Sequence, residues 1–173
     1  MFRQATTKDT EKIIEFYDYA IEENNKAEIN LRWKKDVHPS HKFLCSSIEN
    51  GELFLWEENG EILAACVMNN LCNESYDKIK WGIKASNEDL GIIHVLAVDP
   101  RCFRKGLGKN FLTALLDCAK NTTIKAIRLD VFKVNVPAIK LYEKVGFKCM
   151  GETVMFVPNI GEEEFCLFEY ILK

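Results

Sequence analysis

The 173 residues hold no Cys-x-x-Cys pair, no apolar run of membrane-spanning length, no internal repeat and no low-complexity tract. The seven cysteines (Cys45, Cys66, Cys72, Cys102, Cys118, Cys149 and Cys166) are odd in number and scattered. They indicate neither a zinc site nor a disulfide framework and read as small core hydrophobes, so no metal is expected. The first residues, Met-Phe-Arg-Gln-Ala-Thr-Thr-Lys-Asp, lack the apolar stretch of a secretory signal, which predicts a cytoplasmic, reduced setting away from membranes. An excess of positive charge is missing as well. The formal net charge of −3 argues against general affinity for nucleic acid or anionic lipid. With 47% hydrophobic residues and no linker, the chain is expected to form a single domain over residues 1–173.

What positive charge there is concentrates in one segment. Arg101, Arg104, Lys105 and Lys109 fall within nine residues, with Gly106 and Gly108 among them and no acid from Arg101 to Lys109. Glycines let backbone N–H groups approach a ligand closely, and a following helix adds the positive end of its dipole, so this segment suits phosphate. The halves of the chain differ in the same sense. Residues 1–90 carry 11 Lys/Arg against 17 Asp/Glu (net −6), and residues 91–173 carry 12 against 9 (net +3). The basic half suits an anionic cofactor and the acidic half a cationic second substrate.

Periodicity supplies the frame. A short strand, Phe2 to Ala5, precedes Thr6 or Thr7 as an N-cap, and Ile13, Ile14, Phe16, Tyr17, Ala20 and Ile21 follow at helical spacing. Irregular chain around a short helix is expected from Glu22 to Ser40, then a helix from His41 to Glu49 ended by Gly51. Leu53–Glu57 and Ile62–Met68 flank Asn59-Gly60, the pair that a tight hairpin turn demands. Residues 69–89 are polar, with part expected to be a strand. Gly91 to Val98 is almost wholly apolar, as a strand covered on both faces would be. A helix from Leu107 to Ala119, a strand Ala126–Phe132, a helix Val136–Val145 closed by Gly146, and strands near 147–156 and 164–172 complete the order. Strand, glycine loop, helix, strand, helix is a βαβα unit inside a mixed sheet.

Val98-x-Pro100 followed by Arg104-Lys105-Gly106-Leu107-Gly108 resembles the cofactor-binding motif of the GNAT superfamily, the acetyl-CoA-dependent N-acetyltransferases. Asn135, Ala138, Leu141-Tyr142 and Gly146-Phe147 resemble that family's later helix, in the same order. The resemblance covers residues 91–152, a cofactor-binding core, and is topological elsewhere, with residues 7–90 on the acceptor side. It departs at Phe103, where the family usually has Arg or Gln; Arg101 and Arg104 stand nearby to supply charge. A nucleotide-triphosphate P-loop would need Gly at 103 and Ser or Thr at 110, where this chain has Phe103 and Asn110.

Acyl transfer from a thioester to an amine needs a neutral amine, a donor for the developing oxyanion and an acid for the departing thiolate. Alternation along the strand puts Ile92, His94, Leu96 and Val98 on one face, and a histidine with an ordinary pKa near 6.5 is suited to take an ammonium proton. In the aralkylamine acetyltransferases of that superfamily a His at the matching position serves the amine, so the resemblance implies the same for His94. The bland reading is a hydrogen-bonded core histidine. Tyr142 lies on the apolar face of its helix with Ala138, Leu141 and Val145, as a core tyrosine would, while the resemblance implies a thiolate-protonating acid. Asn135 suits the N-cap of that helix, and in the family its counterpart also approaches the cofactor. The oxyanion donor is most simply a backbone N–H near Leu96 to Val98. Trp33, Tyr76 and Trp81 are aromatics that would suit an amine or serve as core, and Glu22, Glu23 and Glu28 read as a solvated face.

The resemblance therefore implies an α/β (α+β) fold with a mixed, mostly antiparallel sheet of six to seven strands and about four helices on both faces. It implies acetyl-CoA as co-substrate and acetyl transfer to a primary amine of a small molecule by direct attack in a ternary complex. Leu96, Ala97 and Val98 would hold the pantetheine arm; Arg104, Lys105, Gly106, Leu107, Gly108 and Lys109 the pyrophosphate; Asn135, Ala138 and Tyr142 would lie along the cofactor. The alternatives are an enzyme acting on a protein Lys or N-terminal amine, and a non-catalytic acyl-CoA-binding module. The apolar last strands would suit a homodimer.

Overall fold

Asn59 and Gly60 take φ of 52° and 80°, the positive values a tight hairpin turn requires, and join β2 (Leu53–Glu58) to β3 (Glu61–Asn69) as the sequence predicts. The computed structural model describes residues 1–26, 33–158 and 160–173. Its seven-stranded sheet, with β1 (Phe2–Gln4), β4 (Leu90–Val98), β5 (Ala126–Phe132), β6 (Lys148–Val157) and β7 (Gly161–Ile171), runs in the order β1-β2-β3-β4-β5-β7-β6. The pairs β1–β2, β2–β3, β5–β7 and β6–β7 are antiparallel and β4–β5 is parallel, so the sheet is mixed and mostly antiparallel. Among the described residues the α-helices are α1 (Thr10–Lys26), α2 (His41–Glu49), α3 (Leu107–Lys120) and α4 (Val136–Val145), and none is long and apolar enough to cross a membrane.

The chain divides into two compact units, Met1–Met68 with His94–Leu115, and Asn69–Ile93 with Leu116–Lys173. In the first, Ile13, Phe16, Tyr17 and Ala20 turn one stripe of α1 inward into a cluster with Leu44, Leu55, Val67 and Val95. Each such fully buried side chain contributes about 1.5–3 kcal/mol. Thr6 and Asp9 form a capping box ahead of α1, and Arg3 clamps Asp9 with bonds of 2.8 and 2.7 Å while also reaching Glu57. That hydrogen bonding holds the Asp9 carboxyl far below the usual range. Contrary to the expectation of irregular chain from Glu22, α1 continues to Lys26: the Asn24 side chain donates to the Ala20 carbonyl, and Lys26 pairs with Glu23 at 2.6 Å. Glu28 lies outside the described residues.

In the second unit β5 pairs with β7 from Ala126–Ile171 to Phe132–Phe165, and β7 with β6 as a long hairpin. The expected strand within 69–89 is absent among the described residues. Asn73 accepts from the Ser75 N–H and starts a 3₁₀ turn over Glu74–Lys78, and Tyr76, Ile79, Trp81 and Ile83 pack into a cluster with Leu90, Ile92, Met155 and Leu167. A buried ion pair fixes this segment: Arg128 Nε donates to Glu169 at 3.0 Å, Arg128 Nη2 donates to the Ile83 carbonyl, and the guanidinium lies 4.1 Å from the Trp81 ring centre. Glu169 also accepts the Gly82 N–H at 2.8 Å, and a Cβ on Gly82 would stand 2.6 Å from that carboxylate and displace it.

Candidate cofactor and catalytic site

Along β4 the burial alternates: Val95, Ala97 and Asp99 are buried while His94, Leu96 and Val98 are half-buried. The parallel register with β5 comprises Leu90–Ala126 to Ile93–Leu129. Two residues further on, Val95 sits at φ 48° although it is β-branched and buried, a conformation that costs on the order of 1–3 kcal/mol. Its carbonyl accepts a 2.9 Å hydrogen bond from the Tyr17 hydroxyl. His94, next in the chain, has its ring edge-on to Phe43 at 6.4 Å.

The turn after β4 separates its cations into two kinds. Asp99 is buried at 1% exposure and accepts from the Arg101 N–H at 2.8 Å and from the Arg101 guanidinium at 2.7 Å. Burial alone would raise the Asp99 pKa; the bonds from Arg101 outweigh it and hold the carboxyl below its ordinary value. Arg101 also reaches Glu61 and lies over Tyr19, so its charge is neutralised within the protein. Of the two arginines near Phe103, Arg101 is held by Asp99 and Glu61, and Arg104 makes no salt bridge among the described residues. Arg104, Lys105 and Lys109 are exposed and make no salt bridge among the described residues.

Arg104 and Gly106 take φ of 62° and 84°, and nothing lies within 4 Å of where a Gly106 Cβ would be. The first bond at the start of α3 is donated by the Asn110 N–H to the Gly106 carbonyl at 3.0 Å. The N–H groups of Leu107, Gly108 and Lys109 therefore stand outside the helical ladder at the positive end of the helix dipole. Open backbone, free N–H donors and three cations without acidic partners fit a diphosphate.

In the second unit Asn135 caps α4, its side chain accepting from the Ala138 N–H at 3.3 Å, and Gly146 closes the helix at φ 109°. Tyr142 is 6% exposed, with its ring 5.9 Å from Phe147 and 6.0 Å from Phe168. Asn135 and Ala138 are half-buried. Of the aromatics marked in the sequence, Trp33 packs on the first unit's core, and Trp81 donates from Nε1 to the Tyr76 carbonyl at 2.9 Å. The Tyr76 hydroxyl donates to Asp130 at 2.8 Å, and burial pushes the Asp130 carboxyl above its ordinary value. Glu22 and Glu23 pair with Lys35 and Lys26 at the surface. The structure thus gathers His94, Leu96 to Val98 and Arg104 to Lys109 in one unit, and Asn135, Ala138 and Tyr142 in the other. Sequence reasoning missed Tyr17, Val95 and Asp130, whose significance lies in contacts 78 and 54 residues apart and in one backbone angle.

A strand-to-helix turn whose cations make no salt bridge among the described residues thus lies within a mixed, mostly antiparallel sheet. The acetyltransferase (GNAT) family model matches residues 14–147, most of the chain and parts of both units, and the chain belongs to that family. It is similar to the mycothiol acetyltransferase of Acidothermus cellulolyticus, with 36% identity over 70 residues, 40% of this chain and 21% of that one. The chain thus spans about a fifth of the length of that relative. The S-(2-succino)cysteine N-acetyltransferase of Bacillus subtilis is 24% identical over 153 residues, 87% of this chain and 86% of that one. Among solved structures, a GNAT-family acetyltransferase from Streptococcus agalactiae superimposes with a TM-score of 0.80 at 22% identity, covering 99% of this chain and 94% of its own. The yncA protein of Salmonella typhimurium, solved with its cofactor acetyl-CoA, gives 0.69 at 18% identity, covering 100% and 94%. At these identities the two structures bear on the fold alone.

Proposed function

We propose that the chain is one N-acetyltransferase domain that transfers the acetyl group of acetyl-CoA to a primary amine of a small molecule, by direct attack in a ternary complex. The observation that carries this reading is the turn Arg104–Lys109, where, among the described residues, three cations make no salt bridge and the first N–H groups of α3 have no backbone acceptor. Acetyl-CoA supplies an activated acetyl thioester. Arg104, Lys105 and Lys109, with the N–H groups of Leu107 and Gly108, hold its pyrophosphate, and Gly106 keeps the turn open to it. The backbone of Leu96, Ala97 and Val98 holds the pantetheine arm, and one of its N–H groups donates to the acyl oxygen as charge develops there. Asn135 and Ala138 lie along the cofactor. His94 takes the proton of the attacking ammonium, and Tyr142 gives its phenolic proton to the departing sulfur.

A small acceptor is favoured because a relative matched over most of both chains is named for a small amino-acid derivative. All seven cysteines are free, in keeping with a reduced, cytoplasmic setting. The test is a thioester-consumption screen across diverse small amines, with cofactor hydrolysis as background. At least one amine should raise consumption well above hydrolysis; a flat response to small amines alongside turnover with peptides would move the acceptor to protein. In the same assay His94→Ala should lose the basic limb of the pH–rate profile, and an unaltered limb would acquit the histidine.

A further inference from the structure

Among the described residues four non-glycine residues have positive φ, and three of them are explained locally: Asp36 and Asn59 are residue types that tolerate it, and Arg104 lies in an open turn. Val95 is not. It is β-branched, 9% exposed and inside a strand, where a left-handed residue interrupts the regular extended backbone. A buried carbonyl there needs a donor, and the Tyr17 hydroxyl supplies it at 2.9 Å across 78 residues. Tyr17 is itself 1% exposed, set in α1 with its ring edge-on to Phe16 at 5.5 Å. Burial pushes its phenol well above the ordinary value, so the hydroxyl keeps its proton at neutral pH.

The residues on either side of Val95 are His94 and Leu96. A strand held straight would place both differently, because a single left-handed residue re-aims the side chains and backbone groups that flank it. We infer that Tyr17 is a positioning residue: its hydroxyl holds the Val95 kink and thereby fixes the His94 side chain and the Leu96–Val98 backbone. The functional half of this inference rests on the reading of those residues as amine and pantetheine contacts; the conformational half does not.

Three variants separate the possibilities: Tyr17→Phe, which deletes only the hydroxyl; Val95→Gly, which adopts positive φ without help; and the two combined. Backbone chemical shifts of the free protein report φ at 95, and calorimetry reports coenzyme A affinity. Tyr17→Phe should move Val95 out of the left-handed region and weaken coenzyme A about 10-fold, about 1.4 kcal/mol. The combined variant should regain the positive φ and most of the affinity. A Tyr17→Phe protein with lower thermal stability but unchanged Val95 shifts and coenzyme A affinity within twofold would overturn the inference, leaving Tyr17 a core residue. If Tyr17→Phe alone does not fold, folding of the combined variant supports the inference and its failure overturns it. If wild type binds no coenzyme A, the proposed function falls, while the chemical shifts still decide whether Tyr17 holds the kink.

Discussion

Arg128 and Arg104 show two uses of the same side chain. Arg128 is 5% exposed, paired with Glu169, bonded to the Ile83 carbonyl and stacked over Trp81, so its charge is matched inside the fold. Arg104 is exposed, stands in a left-handed turn and has no acidic partner among the described residues. Arg101, three residues before it, belongs with Arg128: Asp99 and Glu61 hold it. A motif read as a run of cations therefore divides by geometry into charge that builds the turn and charge left for a ligand.

The largest effect expected from breaking this contrast is at Arg128. Arg128→Ala leaves Glu169 buried without its counter-charge, and urea denaturation should register a loss of about 3–5 kcal/mol. A loss below ~1 kcal/mol would mean that the pair is not the clasp described. Replacing Arg104, Lys105 and Lys109 together by alanine should do the opposite. Stability should shift by no more than about 0.5 kcal/mol, while coenzyme A affinity falls about 100-fold and loses most of its salt dependence. Affinity unchanged by the triple replacement would place the anion elsewhere.

Tyr142→Phe comes next. It keeps the ring against Phe147 and Phe168, and turnover should drop about 10-fold or more with coenzyme A affinity within twofold. Unchanged turnover would remove Tyr142 from the proton transfer.

The smallest effects contrast two carboxylates. Hydrogen bonding from Arg3 depresses the Asp9 pKa, so Asp9 contributes stability above the ordinary carboxylate range that is lost as pH falls. Burial raises the Asp130 pKa, so Asp130 contributes stability at low pH that is lost as pH rises. Asp9→Asn should lower neutral stability by about 1 kcal/mol and flatten its rise between low pH and about pH 5. Asp130→Asn should leave neutral stability equal or higher, since the amide still accepts from Tyr76. A lowered neutral unfolding midpoint for Asp130→Asn would show that its charged form is favoured by the fold after all.

Elements governed by neighbouring residues were legible in the chain itself. Asn59-Gly60 specified its hairpin, Asn135 marked the start of α4, and Gly146 marked its end. The glycine turn and the later helix of the candidate site were legible for the same reason. What sequence reasoning did not reach depends on distant partners. The last turn of α1 is sustained by side-chain contacts that outweigh weak propensity at Asn24 and Asn25. Residues 69–89 lack the expected strand because their aromatics are drawn into a cluster on the second unit's core. The Val95 kink, the tethering of Arg101 to Glu61 and the Tyr76–Asp130 bond leave no periodic trace, because each joins segments far apart in the chain.

Titration calorimetry with coenzyme A tests the reading of the Arg104–Lys109 turn most directly. Saturable binding of one molecule per chain, weakened by salt and largely abolished when Arg104, Lys105 and Lys109 are replaced, is the predicted result. An absence of heat with folded wild-type protein, or binding indifferent to those three replacements, would contradict it.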